Sequence, residues 1–293
     1  MRTPLLKCHG SGNDFPQIDA RGIALADRDW ATIARALADR AGPIGGDGLL
    51  LLTEGVGFGM RMFNSDGSEA ETCLNGLRCV ARLGFETLGV DAATVTLKTS
   101  SAQVALAPEL APGVVTVRTR AQAHGWSAPA LPSDRSFTAV AMPNPHLVAF
   151  VDTIDEAELV ALGNWCEAAP PQLPQRANVS FVEMRGPDLF VRTFERGVGL
   201  TDSCGSAMAA SVYAAALTER IAWDRETQVF NKGGLVRGSA AADGAVTILG
   251  NATFLWDGAI DIDLATGKAS GLEVTRTRDA EAAAWAGVLA GLS

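Results

Sequence analysis

Two thiols stand where helices begin. Cys204, in TDSCGSAMAAS (201–211), directly precedes a run of small helix formers, and Cys73, in AETCLNGLRCVARLG (70–84), precedes a second helical stretch. A cysteine at a helix N-terminus meets unpaired backbone N–H groups and the positive end of the helix dipole. Both favour thiolate over thiol, pulling the pKa below its free value of about 8.5 and making sulfur a usable base near neutral pH. The same N–H groups can hold a carboxylate. Leu74 and Asn75 supply amides just after the first sulfur, and Gly205 and Ser206 after the second. Two helix ends aimed at one carboxylate would anchor an amino acid and stabilise the charge left when its Cα–H is removed. Taken singly, a free cysteine is more often a small buried hydrophobe than a catalyst. Two in matching contexts favour catalysis. Cys8, Cys79 and Cys166 lack that context and read as structural.

The elements that must position these sulfurs follow from periodicity. After Cys73, Leu74, Leu77, Ala81, Phe85 and Leu88 recur at spacings of three and four, which is one helical face. After Cys204, GSAMAASVYAAALTER is small nearly all round, so sheet can enclose it closely. Strands are expected at 94–100, 114–120, 137–142, 147–152, 179–186 and 189–197, and helices at 27–42 and 154–168. A strand candidate follows each cysteine helix, at 94–100 and at 227–234. The order strand, Gly-rich turn, Thr/Ser-Cys, helix, strand thus occurs twice, a weak internal repeat. Pro-rich runs at 127–134 and 169–175 read as connections, the first near a domain boundary. The expected halves are 1–125, closed by a strand near 251–263, and 126–250. Residues 264–293 read as a helical extension for packing or for a homodimer contact.

The 293 residues, 47% of them hydrophobic, can bury a sizeable core. A net charge of −9 argues against nucleic acid or an anionic membrane as partner. The N-terminus lacks the apolar run of a signal peptide, and no apolar stretch approaches the roughly 20 residues of a membrane span. A cytoplasmic location is expected. Five widely spaced cysteines are not a disulfide framework, and three scattered histidines suggest no zinc site.

HGSGNDF (9–15), FNSDGSEAETCLNGLRC (63–79), NPH (144–146), RANVSF (176–181) and ERGVGLTDSCGS (195–206) resemble, in order, the motifs of the diaminopimelate epimerase family. The resemblance spans roughly residues 5–262. It implies an α/β (α+β) fold of two pseudo-symmetric halves, each a β-sheet wrapped around a central helix, with the active site in the cleft between. It implies a cofactor-independent isomerase that converts LL-diaminopimelate to the meso form, for lysine and peptidoglycan precursors, with Cys73 and Cys204 as acid–base pair. One thiolate removes the α-proton while the other thiol delivers a proton to the opposite face. A single base could only return its proton to the face it left. No pyridoxal phosphate site is evident, since none of Lys7, Lys98, Lys232 and Lys268 has a persuasive Schiff-base context. Asn13, Asn64, Asn144 and Asn178 could hydrogen-bond the amino acid substrate. Arg196 could grip a distal carboxylate bidentately and Glu195 an ammonium. His146 would support a group near a cysteine.

Some positions depart from the family pattern. Leu74 stands where glycine is usual, placing an isobutyl group near the carboxylate anchor. Gly48 stands where glutamine is common, so a polar contact is lost and space is expected to open. Leu200 replaces a glutamate, Pro143 a glycine that it would stiffen before Asn144, and Ala207 a glycine within the second helix. A racemase of another amino acid, using the same thiols, is the alternative. A non-catalytic amino-acid-binding protein is disfavoured, because binding alone needs neither sulfur.

Overall fold

The computed structural model describes residues 1–71, 73–142 and 144–291. Pro143, and with it the stiffening expected before Asn144, lies outside the described residues. The chain divides into two compact units, residues 1–119 with 250–293, and residues 120–249.

The first unit begins with β1 (Arg2–Gly10), β2 (Asn13–Asp19), α1 (Asp27–Ala38), β3 (Gly48–Thr53), β4 (Phe58–Asn64), α2 (Leu74–Leu88), β5 (Ala92–Thr96) and β6 (Ser101–Ala107), then enters β7 (Thr116–Gln122). β1–β2, β3–β4 and β5–β6 pair antiparallel. β2–β3 and β4–β5 pair parallel, and each parallel join is made through a helix, α1 or α2. α1 lays Trp30, Ile33, Ala34 and Leu37 against Ile18, Leu49 and Leu51. Its amphipathic spacing makes that outcome legible. β3 reads GLLLLT because it is covered on both faces: Leu49 and Leu51 meet α1, while Leu50 lies beside Gly76 of α2. α2 packs against β1 through β6.

The second unit holds β8 (His124–Gly125), β9 (Thr138–Met142), β10 (Asn144–Phe150), α3 (Glu156–Glu167), β11 (Asn178–Arg185), β12 (Asp188–Glu195), β13 (Gly199–Thr201), α4 (Gly205–Leu217), β14 (Thr227–Asn231), β15 (Gly234–Ala240) and β16 (Ala245–Asn251). Its pairings repeat the first unit's. β9–β10, β11–β12 and β14–β15 are antiparallel, and β10–β11 and β12–β14 are parallel through α3 and α4. β13 is an added hairpin strand on β12. α4 packs against β9 through β12, β14 and β15, as its small residues require for close approach of sheet. The weak repeat in sequence is therefore a full repeat of topology, and Cys73 and Cys204 occupy the same slot in it.

The passages between units fall inside β7 and β16. The Pro-rich run 127–134 belongs to the second unit, where Trp126 and Leu131 pack on the core of α3, β10 and β11. β17 (Thr253–Asp263) returns to the first unit and pairs with β1. Residues 264–291 hold β18 (Lys268–Thr277), antiparallel to β17, and then helix α5 (Asp279–Ala290), so the extension expected to be helical begins as a strand. Trp285 of α5 is buried against Leu110 and Val114. Among the described residues, no helix is long and apolar enough to cross a membrane.

Candidate active site

In the first unit, Cys73 is the N-cap of α2, with an extended backbone (φ −150°, ψ 104°). Its Sγ accepts the Gly76 N–H at 3.3 Å and lies 3.7 Å from Asn13 Oδ1. The helix end therefore reaches the sulfur through a real donor. Asn13 is delivered by the turn between β1 and β2, where Ser11 and Gly12 both take positive φ (52° and 83°). The other end of its amide donates to Asp47 Oδ2. Asp47 also accepts the Asp14 N–H at 3.0 Å and Arg40 at 2.8 Å. Asn13 is thus held between a carboxylate and a thiol. Asn64 sits at the end of β4 and donates to Ser68 Oγ at 2.9 Å. Leu74 and Asn75, the first residues of α2, are buried.

Gly48 corrects one expectation. A Cβ there would meet the Phe63 carbonyl oxygen at 2.4 Å, Gly48 lying opposite Asn64 in the antiparallel register of β3 and β4. The missing side chain opens no space.

In the second unit, Cys204 is the N-cap of α4 (φ −127°, ψ 109°), and its sulfur lies 3.5 Å from Ser206 Oγ. Here too an expectation fails. Burial, followed by the Glu195 carboxylate, pushes the Cys204 thiol well up. The Ser206 hydroxyl and the Ala207 amide pull the other way and are outweighed. The thiol therefore stays protonated, with Glu195 beside it as hydrogen-bond acceptor. Glu195 ends β12, and the β12–β13 hairpin turns through Gly197 (φ 78°) and Gly199 (φ 106°). That turn lets Thr201 donate to Glu195 Oε1 at 2.6 Å.

The parallel register of β10 and β11 sets His146 opposite Asn178. Asn178 Oδ1 accepts the Arg196 backbone N–H at 2.8 Å, which turns its amide nitrogen toward His146 Nε2 at 3.4 Å. Asn144 Oδ1 lies 3.2 Å from the same ring nitrogen. Burial, then the Arg196 charge, lowers the His146 pKa to about 3, so the ring is neutral at working pH. Arg196 Nη1 donates to the Gln175 carbonyl at 3.0 Å. Gly205 and Ser206 open α4 and are buried, while Leu200 is exposed on β13.

The structure thus gathers Cys73, Leu74, Asn75 and Asn13 around the start of α2, and Cys204, Gly205, Ser206 and Glu195 around the start of α4. His146, Asn144, Asn178 and Arg196 form a linked polar row at the ends of β10, β11 and β12. Sequence reasoning missed Asp47 and Thr201. Asp47 directly precedes Gly48 in sequence, but its task, holding Asn13, depends on a contact 34 residues away.

A family model described as diaminopimelate epimerase matches residues 5–117 and 138–255. A diaminopimelate epimerase of Clostridium acetobutylicum is 38% identical over 285 residues, covering 88% of this chain and 86% of that one. A diaminopimelate epimerase of Lactiplantibacillus plantarum is 38% identical over 294 residues, covering 87% and 88%. Among solved structures, a predicted epimerase from Pseudomonas aeruginosa superposes with a TM-score of 0.69 at 17% identity, covering 87% of this chain and 98% of that one. At that identity the likeness shows the fold.

Proposed function

Because the chain belongs to the diaminopimelate epimerase family, we propose that it interconverts LL- and meso-2,6-diaminopimelate, with Cys73 and Cys204 as the acid–base pair. A thiolate takes the α-hydrogen as a proton. The electron pair left on carbon spreads into the adjacent carboxylate, held by the N–H groups that begin a helix. The second thiol gives its proton to the opposite face. Each turnover leaves the former base as thiol and the former acid as thiolate, so the reverse reaction starts from the swapped pair. The scheme draws on no cofactor.

The observation that carries this reading is the repeat: each unit places one cysteine as N-cap of its enclosed central helix, in the same topological slot. Their surroundings differ. Cys204 keeps its proton beside Glu195, as the acid requires. Cys73 accepts the Gly76 N–H, which supports its thiolate, while its thiol form donates to Asn13 Oδ1. Asn144, Asn178 and Arg196 supply polar groups for the substrate's far end, with the Nε2 of neutral His146 lying between the two amides.

The test is Cα–H exchange in deuterated water, followed by NMR under reducing conditions, with diaminopimelate and a panel of L-amino acids. Exchange with diaminopimelate is expected. Exchange confined to other amino acids would move the chain to a different racemase activity. Cys73→Ala and Cys204→Ala should each abolish stereoisomer interconversion, and full activity in either would end the two-thiol scheme.

A further inference from the structure

Among the described residues, Arg78 is the largest side chain wholly enclosed by the protein. It lies on α2, little more than one turn past Cys73. Its Nε donates to the Asn251 carbonyl at 3.0 Å and its Nη1 to the Leu74 carbonyl at 3.3 Å. Its Nη2 donates to Ser11 Oγ at 3.1 Å and to Asn75 Oδ1 at 2.9 Å. All four acceptors are neutral. Arg82, one turn on, makes ion pairs with both Glu86 and Glu281. Among the described residues, no carboxylate pairs with Arg78. The backbone is fitted around it: a Cβ on Gly250 would meet Nε at 2.5 Å, and one on Gly10 would meet Nη2 at 3.0 Å.

A bare guanidinium in the interior is unfavourable unless something nearby answers its charge. The groups able to do so are the thiols of Cys73 and Cys79. Cys79 is fully buried beside Cys8. Cys73 is half-buried at the helix start, where an ionised sulfur also gains the Gly76 N–H. The other ionisable groups on elements packed against α2 are committed elsewhere. On β1, His9 is buried and neutral and Lys7 pairs with Asp14 of β2. On β4, Arg61 pairs with Asp27 and Glu69. β3, β5 and β6 contain no ionisable side chain.

We propose that Arg78 is a positioning residue for Cys73: its enclosed charge favours the thiolate, and its grip on Ser11 fixes the turn that holds Asn13 against the sulfur. The second half follows from the turn. Ser11 stands at positive φ, which an unsupported serine rarely keeps, and Arg78 and Asn251 hold it from two sides. The proposal rests on reading Cys73 as the base.

The experiment is site-resolved alkylation of Cys73 by iodoacetamide against pH, read by mass spectrometry, in wild type, Arg78→Gln and Arg78→Lys. Glutamine keeps part of the hydrogen bonding and removes the charge. Its half-maximal pH should rise by about one unit, a roughly tenfold slower alkylation at neutral pH. Lysine keeps the charge without the fork, so the profile should stay near wild type while kcat falls through loss of the Ser11 contact. Ser11→Ala should lower kcat with no movement of the profile. A folded Arg78→Gln protein with an unmoved Cys73 profile overturns the proposal. If Arg78→Gln does not fold, Arg78→Lys decides alone: a profile raised by a full unit there overturns it, and an unmoved profile with reduced kcat supports it. Full stereoisomer interconversion by Cys73→Ala would refute the reading of Cys73 as the base and with it this proposal, whereas an unmoved Arg78→Gln profile overturns the proposal alone.

Discussion

Glu281 of α5 holds Arg82 of α2 with both carboxylate oxygens, the longer bond being 2.9 Å, across 199 residues of sequence. Arg82 is almost wholly enclosed, and it also donates to the Ala252 carbonyl at 2.7 Å and stacks on Phe254. The segment beyond residue 255, which the family model does not match, is thereby tied to the helix that begins at Cys73.

Removing that carboxylate leaves a buried charge only partly answered. Glu281→Ala is expected to destabilise the protein by about 3 kcal/mol, the low end for breaking a buried pair, because Glu86 and the Ala252 carbonyl remain. Urea unfolding measures it. A change within about 0.5 kcal/mol, as for an ordinary surface site, would show that α5 is dispensable.

Two buried histidines set a pH window. Burial lowers His9 to about 4, against the pull of Asp14, and burial with Arg196 lowers His146 to about 3. In the unfolded chain both titrate near 6.5. The unfolded state therefore binds more protons below that point. Their contribution is complete above about pH 6.5 and falls as pH drops toward 4 for His9 and 3 for His146, by about 1.4 kcal/mol per unit for each. Urea midpoints at pH 7.5 and 5.0 should differ, and His9→Asn should flatten the dependence. Equal midpoints in wild type would contradict the neutral burial of both rings.

Thr201 donates to Glu195, and Glu195 faces Cys204. Thr201→Val removes the hydroxyl at nearly constant volume. It should lower kcat about tenfold with little change in KM, as expected when a group acts on the transition state and not on binding. Thr201→Ser should restore most of the rate. A rise in KM at constant kcat would place Glu195 on the substrate's ammonium instead.

Restoring the family's glutamine at position 48 should not help. The Phe63 carbonyl occupies the space a Cβ needs, so Gly48→Gln is expected to cost about 2 kcal/mol by overpacking. A melting curve and the exchange assay would show it, and a stable variant with higher activity would mean that β3 and β4 separate there.

Much of this protein was legible in the chain because the signals were local. An N-cap cysteine, the i, i+3, i+4 face of α2, the small residues of α4 and the amphipathic face of α1 each depend on a few neighbouring residues. So do β11 and β12, which form within a residue or two of where they are expected. β1 did not read as a strand, since Pro4, Lys7 and His9 interrupt it. It becomes one because β2 and β17 flank it and Asp14 answers Lys7. The strand expected at 94–100 stops at Thr96, where the Leu97 N–H closes a turn on the Ser100 carbonyl.

The sequence by itself determined where the two sulfurs stand, because a helix start is a property of adjacent residues. Only the tertiary structure decided the surroundings in which each sulfur holds its proton. Cys204 keeps it because a hairpin brings Glu195 and burial together there. The charge near Cys73 is that of Arg78, enclosed by Ser11 and Asn251 from opposite ends of the chain. Proton affinity depends on desolvation and on charges close in space, and neither is written in residue spacing.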